Sequence, residues 1–274
     1  MNTSKLSLSS ATATASACNS WTVRFLLLAV LIVACASIAF AQGADDYNKL
    51  EVYGGFSLGR IKTNTNSASF TSGGHTETFT NLCSNATGDM LGHTFQRFFC
   101  THRNFNGFDG SITYNLSRHV GIQGDFTGHF KTETFVDTFT PPGVTQKISN
   151  QERLYNVLGG VQIKNNGKTA RLKPFAHALA GVARYTNRQR QTLDLFPQFN
   201  FTIEDRVTSF ALKLGGGLDL RMGKRIDLRV FEFDYNPVFA GDRQARIIAG
   251  PFTSVSFKGK TAHNYTIGVG IVIH

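Results

Sequence analysis

The sequence predicts an all-β chain: an eight-stranded antiparallel up-and-down transmembrane β-barrel after an N-terminal signal peptide. Three observations predict it. Eight segments alternate apolar with small or polar residues, short and long connections alternate between those segments, and an export leader precedes them. The final segment, "NYTIGVGIVIH", is the clearest: Tyr265, Ile267, Val269, Ile271 and Ile273 alternate with Asn264, Thr266, Gly268 and Gly270. One face is oily to the end and the other is tiny or polar. A half-exposed soluble sheet reads the other way, with bulky residues set against charged ones.

Composition agrees. Only 17% of the residues are charged, 27 are glycine and 6 are proline, and mean hydropathy is −0.12. Small residues and polar loops keep a membrane barrel near neutral hydropathy, whereas helical soluble enzymes carry more charge.

The leader gives the compartment. In "VRFLLLAVLIVACASIAFAQG", Arg24 precedes an apolar run from Phe25 to Phe40, and Ala39-Phe40-Ala41 forms an A-x-A-like site with cleavage between Ala41 and Gln42. The run falls short of the roughly 20 residues of a transmembrane helix. A lipoprotein-type cleavage before Cys35 is the alternative. Residues 1–41 are thus the expected signal peptide and 42–274 the expected barrel domain. Loss of Lys5 and Arg24 with the leader lowers the formal +10 by two. On an exported chain this charge points away from nucleic acid and toward the bilayer and its phosphorylated or acidic surface glycolipids.

Cys18 and Cys35 leave with the leader. Cys83 and Cys100 remain as an even pair in an oxidising compartment, which reads as a disulfide contributing roughly 3 kcal/mol. Free thiols, or a metal clip with His75, His93 and His102, are the alternatives, although the spacings match no zinc motif.

The first segment runs from Leu50 to Arg60, with Leu50, Val52, Gly54, Phe56 and Leu58 on one face. The second, "NGFDGSITYNLS", sets Phe108, Gly110, Ile112, Tyr114 and Leu116 against Asp109, Ser111, Thr113 and Asn115. The third, "HVGIQGDFTGHF", sets Val120, Ile122, Phe126 and Phe130 against Gln123, Asp125, Thr127 and His129. The fourth, Arg153 to Lys164, offers Tyr155, Val157, Gly159, Val161 and Ile163. The fifth, "RLKPFAHALAGVARY", is too alanine-rich for its faces to be assigned, and Pro174 belongs near its start, where a ladder donor is dispensable. In the sixth, "VTSFALKLGGGLDLR", Phe210, Leu212, Leu214, Leu218 and Leu220 oppose Ser209, Lys213, Gly217 and Asp219. The seventh, "RIDLRVFEFDY", changes parity between Val230 and Phe231, which predicts a β-bulge there. The eighth is the closing segment.

Three connections are tight: "SRH", "NNGKT" and "MGK". Four are long, Ile61–Arg103, Glu133–Asn150, Asn187–Asp205 and Ala240–Lys260, and the two kinds alternate. All tight turns therefore gather at one end, as in barrels with short periplasmic turns and long extracellular loops. In hydrocarbon every backbone donor and acceptor must pair within the protein, so the sheet must close. Eight strands leave a lumen wide enough only for side chains. Asp109, Asp125, Lys213, Asp219, Asp227 and Arg229 are expected to face it and to pair there. Tyr155, Tyr235 and Tyr265 fall at the outer ends of their strands and Tyr114 at an inner end, as interface aromatics do.

With "KLEVYGGFSLG" as opening strand, "RVFEFDY" before a loop and "HNYTIGVGIVI" as closing strand, the chain resembles the small OmpA/OmpX-type bacterial outer-membrane β-barrel family. The resemblance implies an integral protein of the outer membrane of a Gram-negative-type bacterium. One departure is that Ile273 and His274 stand where such chains usually end in an outward aromatic.

The expected role is structural or surface-interacting, through long extracellular loops, without enzymatic activity, cofactor or metal, and as a monomer. Arg184, Arg188, Arg190, Arg243, Arg246, Lys258 and Lys260 form a candidate basic loop patch for lipid phosphates or an acidic ligand. The alternatives are a narrow small-solute channel or a lipid-modifying enzyme, for which His129 with Ser149 or Ser254 are the candidates; no spacing ties them together. "LGGGL" at Leu214–Leu218 is followed by no helix, so it is not a phosphate loop.

Overall fold

The computed structural model describes residues 46–62, 65–81, 83, 100–139 and 143–274. The expected signal peptide, the Ala41–Gln42 cleavage site, Cys18, Cys35 and His93 lie outside the described residues.

The described strands are β1 (Leu50–Ile61), β2 (Thr65–Ser72), β3 (His75–Phe79), β4 (Arg103–Asn115), β5 (Val120–Phe139), β6 (Val144–Lys164), β7 (Leu172–Leu193), β8 (Phe201–Arg221), β9 (Ile226–Phe239), β10 (Arg243–Gln244), β11 (Arg246–Ala249), β12 (Ser254–Gly259) and β13 (Thr261–Ile273). Among them β1, β4 to β9 and β13 form one antiparallel ring. Two ladders between strands distant in sequence or late in the chain complete it. β1 runs beside β13 from Val52↔Ile273 to Arg60↔Tyr265. β8 meets β9 from Phe210↔Phe239 to Arg221↔Asp227.

Polarity is inverted around this ring. Phe56, Ile122, Val157, Val182, Leu214, Phe233, Ile267 and Ile271 point outward and are exposed, while Glu51, Asp109, Gln123, Asn156, Lys213, Asp219, Arg229 and Asp234 are buried inside. The alanine-rich strand β7 resolves as well. Phe175, Leu179, Ala183 and Tyr185 are buried, and Leu172 and Val182 are exposed, so the alanines at 176, 178 and 180 share the outer face. The register shift expected in the seventh segment is present: against β13, Glu232 pairs with Gly268 and Arg229 with Gly270. Val230 and Phe231 are consequently both exposed, and inward alternation resumes at Glu232.

The long connections correct the sequence reading. The sequence pattern predicts loops at Glu133–Asn150 and Asn187–Asp205, but β5 and β6 stay paired out to Phe139↔Val144, and β7 and β8 out to Gln191↔Phe201. The alternation simply continues in a polar register, with Thr132, Thr134, Arg188 and Arg190 where Phe130 and Val182 stand lower down. Ile61–Arg103 and Ala240–Lys260 also carry strands, which assemble a second sheet in the order β10-β12-β2-β3. β2 and β3 are joined by Gly73 and Gly74, whose φ values of 56° and 81° suit the primed hairpin turns that glycine adopts without strain. This sheet packs Ala68, Val255 and Phe257 against Phe135, Ile148, Phe201 and Ile203, which face inward from β5, β6 and β8. The extended strands and the second sheet thus make a capped mouth rather than free loops.

Two outcomes test this architecture. Unboiled protein in detergent should migrate differently from boiled protein on a gel, since a closed ladder resists the detergent; identical mobility would mean an open sheet. Leu214→Arg, outward and flanked by apolar neighbours on β8, should cost roughly 2–4 kcal/mol in chemical unfolding from vesicles if it sits at mid-bilayer, and a neutral result would misplace that face.

Candidate functional site

The interior is built in layers. At the tight-turn end, Lys164 bridges Glu51 and Asp219 at 2.8 Å each, Lys173 reaches Asp227 at 2.7 Å, and His274 Nε2 lies 2.8 Å from Asp227. Arg229 is the hub above them. It donates to Asp219 at 2.9 Å and to Glu232 at 3.1 Å, with Tyr53 and Phe175 stacked at 4.0 Å from its guanidinium. Next comes Lys213, which donates to Asp109 at 2.9 Å and Asp125 at 3.0 Å and lies 3.5 Å from Asp234. The six residues expected in the lumen therefore occupy two linked ion clusters. An unpaired ion in such a place is costly, whereas a paired and hydrogen-bonded one is tolerated.

The parity of each strand explains the placement. Asp109, Asp125, Asp219 and Asp227 each alternate with outward apolar neighbours, and the bulge at Val230–Phe231 lets both Arg229 and Glu232 face inward, three residues apart.

Beyond Lys213 the lumen turns apolar. Ile61, Phe105, Leu154, Leu158, Leu179, Ala183, Ala211 and Val238 form a cluster contributed by six barrel strands, with Tyr185 at its edge. A second polar layer follows. Arg103 lies 2.6 Å from Glu152, which also accepts the Tyr185 hydroxyl. Arg243 donates to both oxygens of Asp205 and stacks 5.3 Å over Phe257.

That last pairing corrects the expected basic patch. Arg243 is not a surface cation; its side chain is 6% exposed and tied to Asp205. The other six separate. Arg184, Arg188 and Arg190 stand on the outer face of β7, and Arg246 joins them because β11 pairs with β8 at Glu204, opposite Arg188. Lys258 is on β12 of the cap. Lys260 sits near Lys62, whose ammonium is held below the usual lysine range by burial first and by the charge of Lys260 second.

Cys83 and Cys100 are joined as a disulfide with Cα atoms 5.2 Å apart, so neither thiol is available for the metal clip. His75 is exposed on β3, and His102 bonds the carbonyl of His263 at 2.7 Å. His129 faces inward, with Nε2 2.8 Å from Ser57 Oγ. Ser57, which sequence reasoning missed, replaces Ser149 of β6 and Ser254 of β12 as its partner, and the pair is enclosed in the lumen. Also missed was the group His177, Glu232 and Asp234, whose potential ligand atoms lie within 4.8 Å of one another. His177 Nε2 bonds Asp234 at 2.9 Å, and the neighbouring Arg229 and Lys213 already balance both carboxylates. The parity of β7, unreadable from its alanines, was the missing signal for His177.

A closed ring with grease outside and paired ions inside defines the architecture, and the family model described as "Outer membrane protein beta-barrel domain" matches residues 26–272. The chain belongs to that family. It is therefore a protein of the Gram-negative outer membrane. Among solved structures it is similar to Ail of Yersinia pestis, at 12% identity over 82% of this chain and 100% of that one, with a TM-score of 0.36. Ail has also been solved in complex with the heparin analogue sucrose octasulfate. OprG of Pseudomonas aeruginosa gives 13% identity over 82% and 95%, with a TM-score of 0.43. The N-terminal barrel domain of OprF from the same organism gives 11% over 83% and 99%, with a TM-score of 0.32. No curated protein sequence matches the chain.

The ion clusters carry a measurable consequence. Lys213→Met leaves Asp109 and Asp125 without their shared cation and should cost about 3–5 kcal/mol in unfolding from vesicles. Adding Asp109→Asn and Asp125→Asn should recover most of it; no recovery would mean that packing, not charge, is at stake.

Proposed function

We propose that the chain, freed of residues 1–41 as an export leader, is a non-conducting monomeric barrel whose work is done by its outer wall and extracellular cap. The observation that supports this most is the buried apolar cluster of Ile61, Phe105, Leu154, Leu158, Leu179, Ala211 and Val238 inside the ring, which with the hydrogen-bonded pairs Ser57–His129 and Thr127–Asn156 fills the lumen between the ion pairs of Lys213 and those of Arg103. A solute crossing the barrel would have to part paired ions and displace these buried side chains. Above it the second sheet covers the mouth, braced by Phe135, Ile148, Phe201 and Ile203.

Among the described residues, the dyad that His129 forms for the lipid-modifying alternative is enclosed. Ser57 and His129 are each 1% exposed and lie inside the ring. Arg153, Arg184, Arg188 and Arg190 stand exposed on the outer wall of β6 and β7, which fits a role in holding the protein among surface glycolipids or presenting it to an acidic partner.

Planar-bilayer recording in molar potassium chloride tests the reading. Heat-modifiable, hence folded, protein should insert without discrete current steps. Reproducible single-channel steps would overturn it in favour of the small-solute channel.

A further inference from the structure

Strands β4 and β5 pair only as far as Asn106↔Phe130. Past that row β4 continues beside β1 to Arg103, while β5 continues beside β6 to Phe139. The wall parts between them, and a groove of about 730 Å³ opens on its exterior. Its floor is aromatic. Phe56, Phe108 and Phe130 point outward and are exposed, the rings of Phe108 and Phe130 are 6.2 Å apart, and Tyr155 meets Phe130 edge-on at 5.5 Å. Its upper rim is cationic, with Lys131 and Arg153 both lining it.

The charges there favour an anion. Glu152, at the back of the groove, is held by Arg103 at 2.6 Å and by the Tyr185 hydroxyl. Glu133, 3.5 Å from Lys131, is shared with Arg103 at 3.5 Å. Arg153 is exposed, and on the next strand the first outward residue past Val182 is Arg184, so the cationic edge continues around the wall.

The order along each strand fixes the chemistry. On β6 the outward residues run Val161, Gly159, Val157, Tyr155, Arg153: hydrocarbon, interface aromatic, then cation. A lipid runs in the same sequence from chain to headgroup. A free anion would have no use for three phenylalanines, and a neutral lipid would make no use of Arg153 or of Lys131, whose ammonium meets Glu133 at 3.5 Å and the Asn104 carbonyl at 3.2 Å.

We propose that this groove binds one phosphate-bearing lipid of the outer leaflet. An acyl chain lies across Phe108 and Phe130, and the phosphate is held between Lys131 and Arg153. The site does not depend on whether the lumen conducts, so the bilayer recording and the test below fail independently.

The test uses lipid-specific quenching. Trp21 is the sequence's one tryptophan. In a Trp21→Phe background, Phe130→Trp places a reporter on the groove floor, and Ile267→Trp places one on β13 away from it. Both are reconstituted in phosphatidylcholine vesicles with either brominated phosphatidic acid or brominated phosphatidylcholine as quencher, after the heat-dependent gel shift confirms folding. At position 130, phosphatidic acid should be favoured by about fivefold or more, the worth of one or two interfacial cations. Lys131→Gln with Arg153→Gln should bring that ratio to near parity, and position 267 should show near parity throughout. Equal preference at both positions, no preference at 130, or a preference at 130 that survives the double substitution would each overturn the site.

Discussion

Hydrocarbon supplies no hydrogen-bond partner, and a backbone N–H or C=O left unpaired in it costs several kcal/mol. The two ladders that close the ring, β1 with β13 and β8 with β9, are therefore the condition for every other feature. Once the ring is closed, each strand has a lipid side and a lumen side by pleat alone. A one-residue slip would put Lys213 in lipid and Leu214 against Asp125. Register is accordingly fixed by both faces at once, which explains why the extra residue at Val230–Phe231 is absorbed where two apolar side chains can both stay outside.

The same closure separates charge by sign. Glu51, Asp109, Asp125, Glu152, Asp205, Asp219, Asp227, Glu232 and Asp234 are all buried, against the cations Arg103, Lys164, Lys173, Lys213, Arg229 and the enclosed Arg243 side chain. The formal net charge of +10 therefore understates how positive the exterior is, because so many of the 18 acids never reach it. Long-range attraction to an anionic leaflet acts through the charges left outside, and those are largely arginine and lysine. The lumen's negative bias and the wall's positive one are two results of one arrangement.

Much of this was legible in the sequence. Strand parity alone separated Leu214 from Lys213 and Ile112 from Asp109, because a period of two leaves no third choice once the oily side is known. What could not be read has physical causes. In β7, alanine is small enough for either face, so Phe175 and His177 could not be assigned inward. In β5 to β8 the apolar signal ends at the membrane edge although the ladder does not. Thr132, Thr134 and Arg188 alternate with water outside instead of lipid, and a strand between two polar environments looks like a loop. Arg243 resembled its exposed neighbours because its partner, Asp205, lies 38 residues earlier and meets it only through the fold.

Those extensions also explain where function can reside. Had the strands stopped at the lipid edge, the outer mouth would be ringed by loops, and the apolar layer around Phe105 and Leu179 would face water. Because β5 to β8 continue past the other strands, they offer an inward apolar face of Phe135, Ile148, Phe201 and Ile203 that must be covered, and the second sheet covers it. The shorter β4 cannot follow β5 beyond Phe130, so the wall divides at that point. The capped mouth and the divided wall are thus one consequence of unequal strand length: the first withdraws the lumen from solvent, and the second leaves the molecule's one-sided aromatic and cationic groove facing the leaflet that surrounds it.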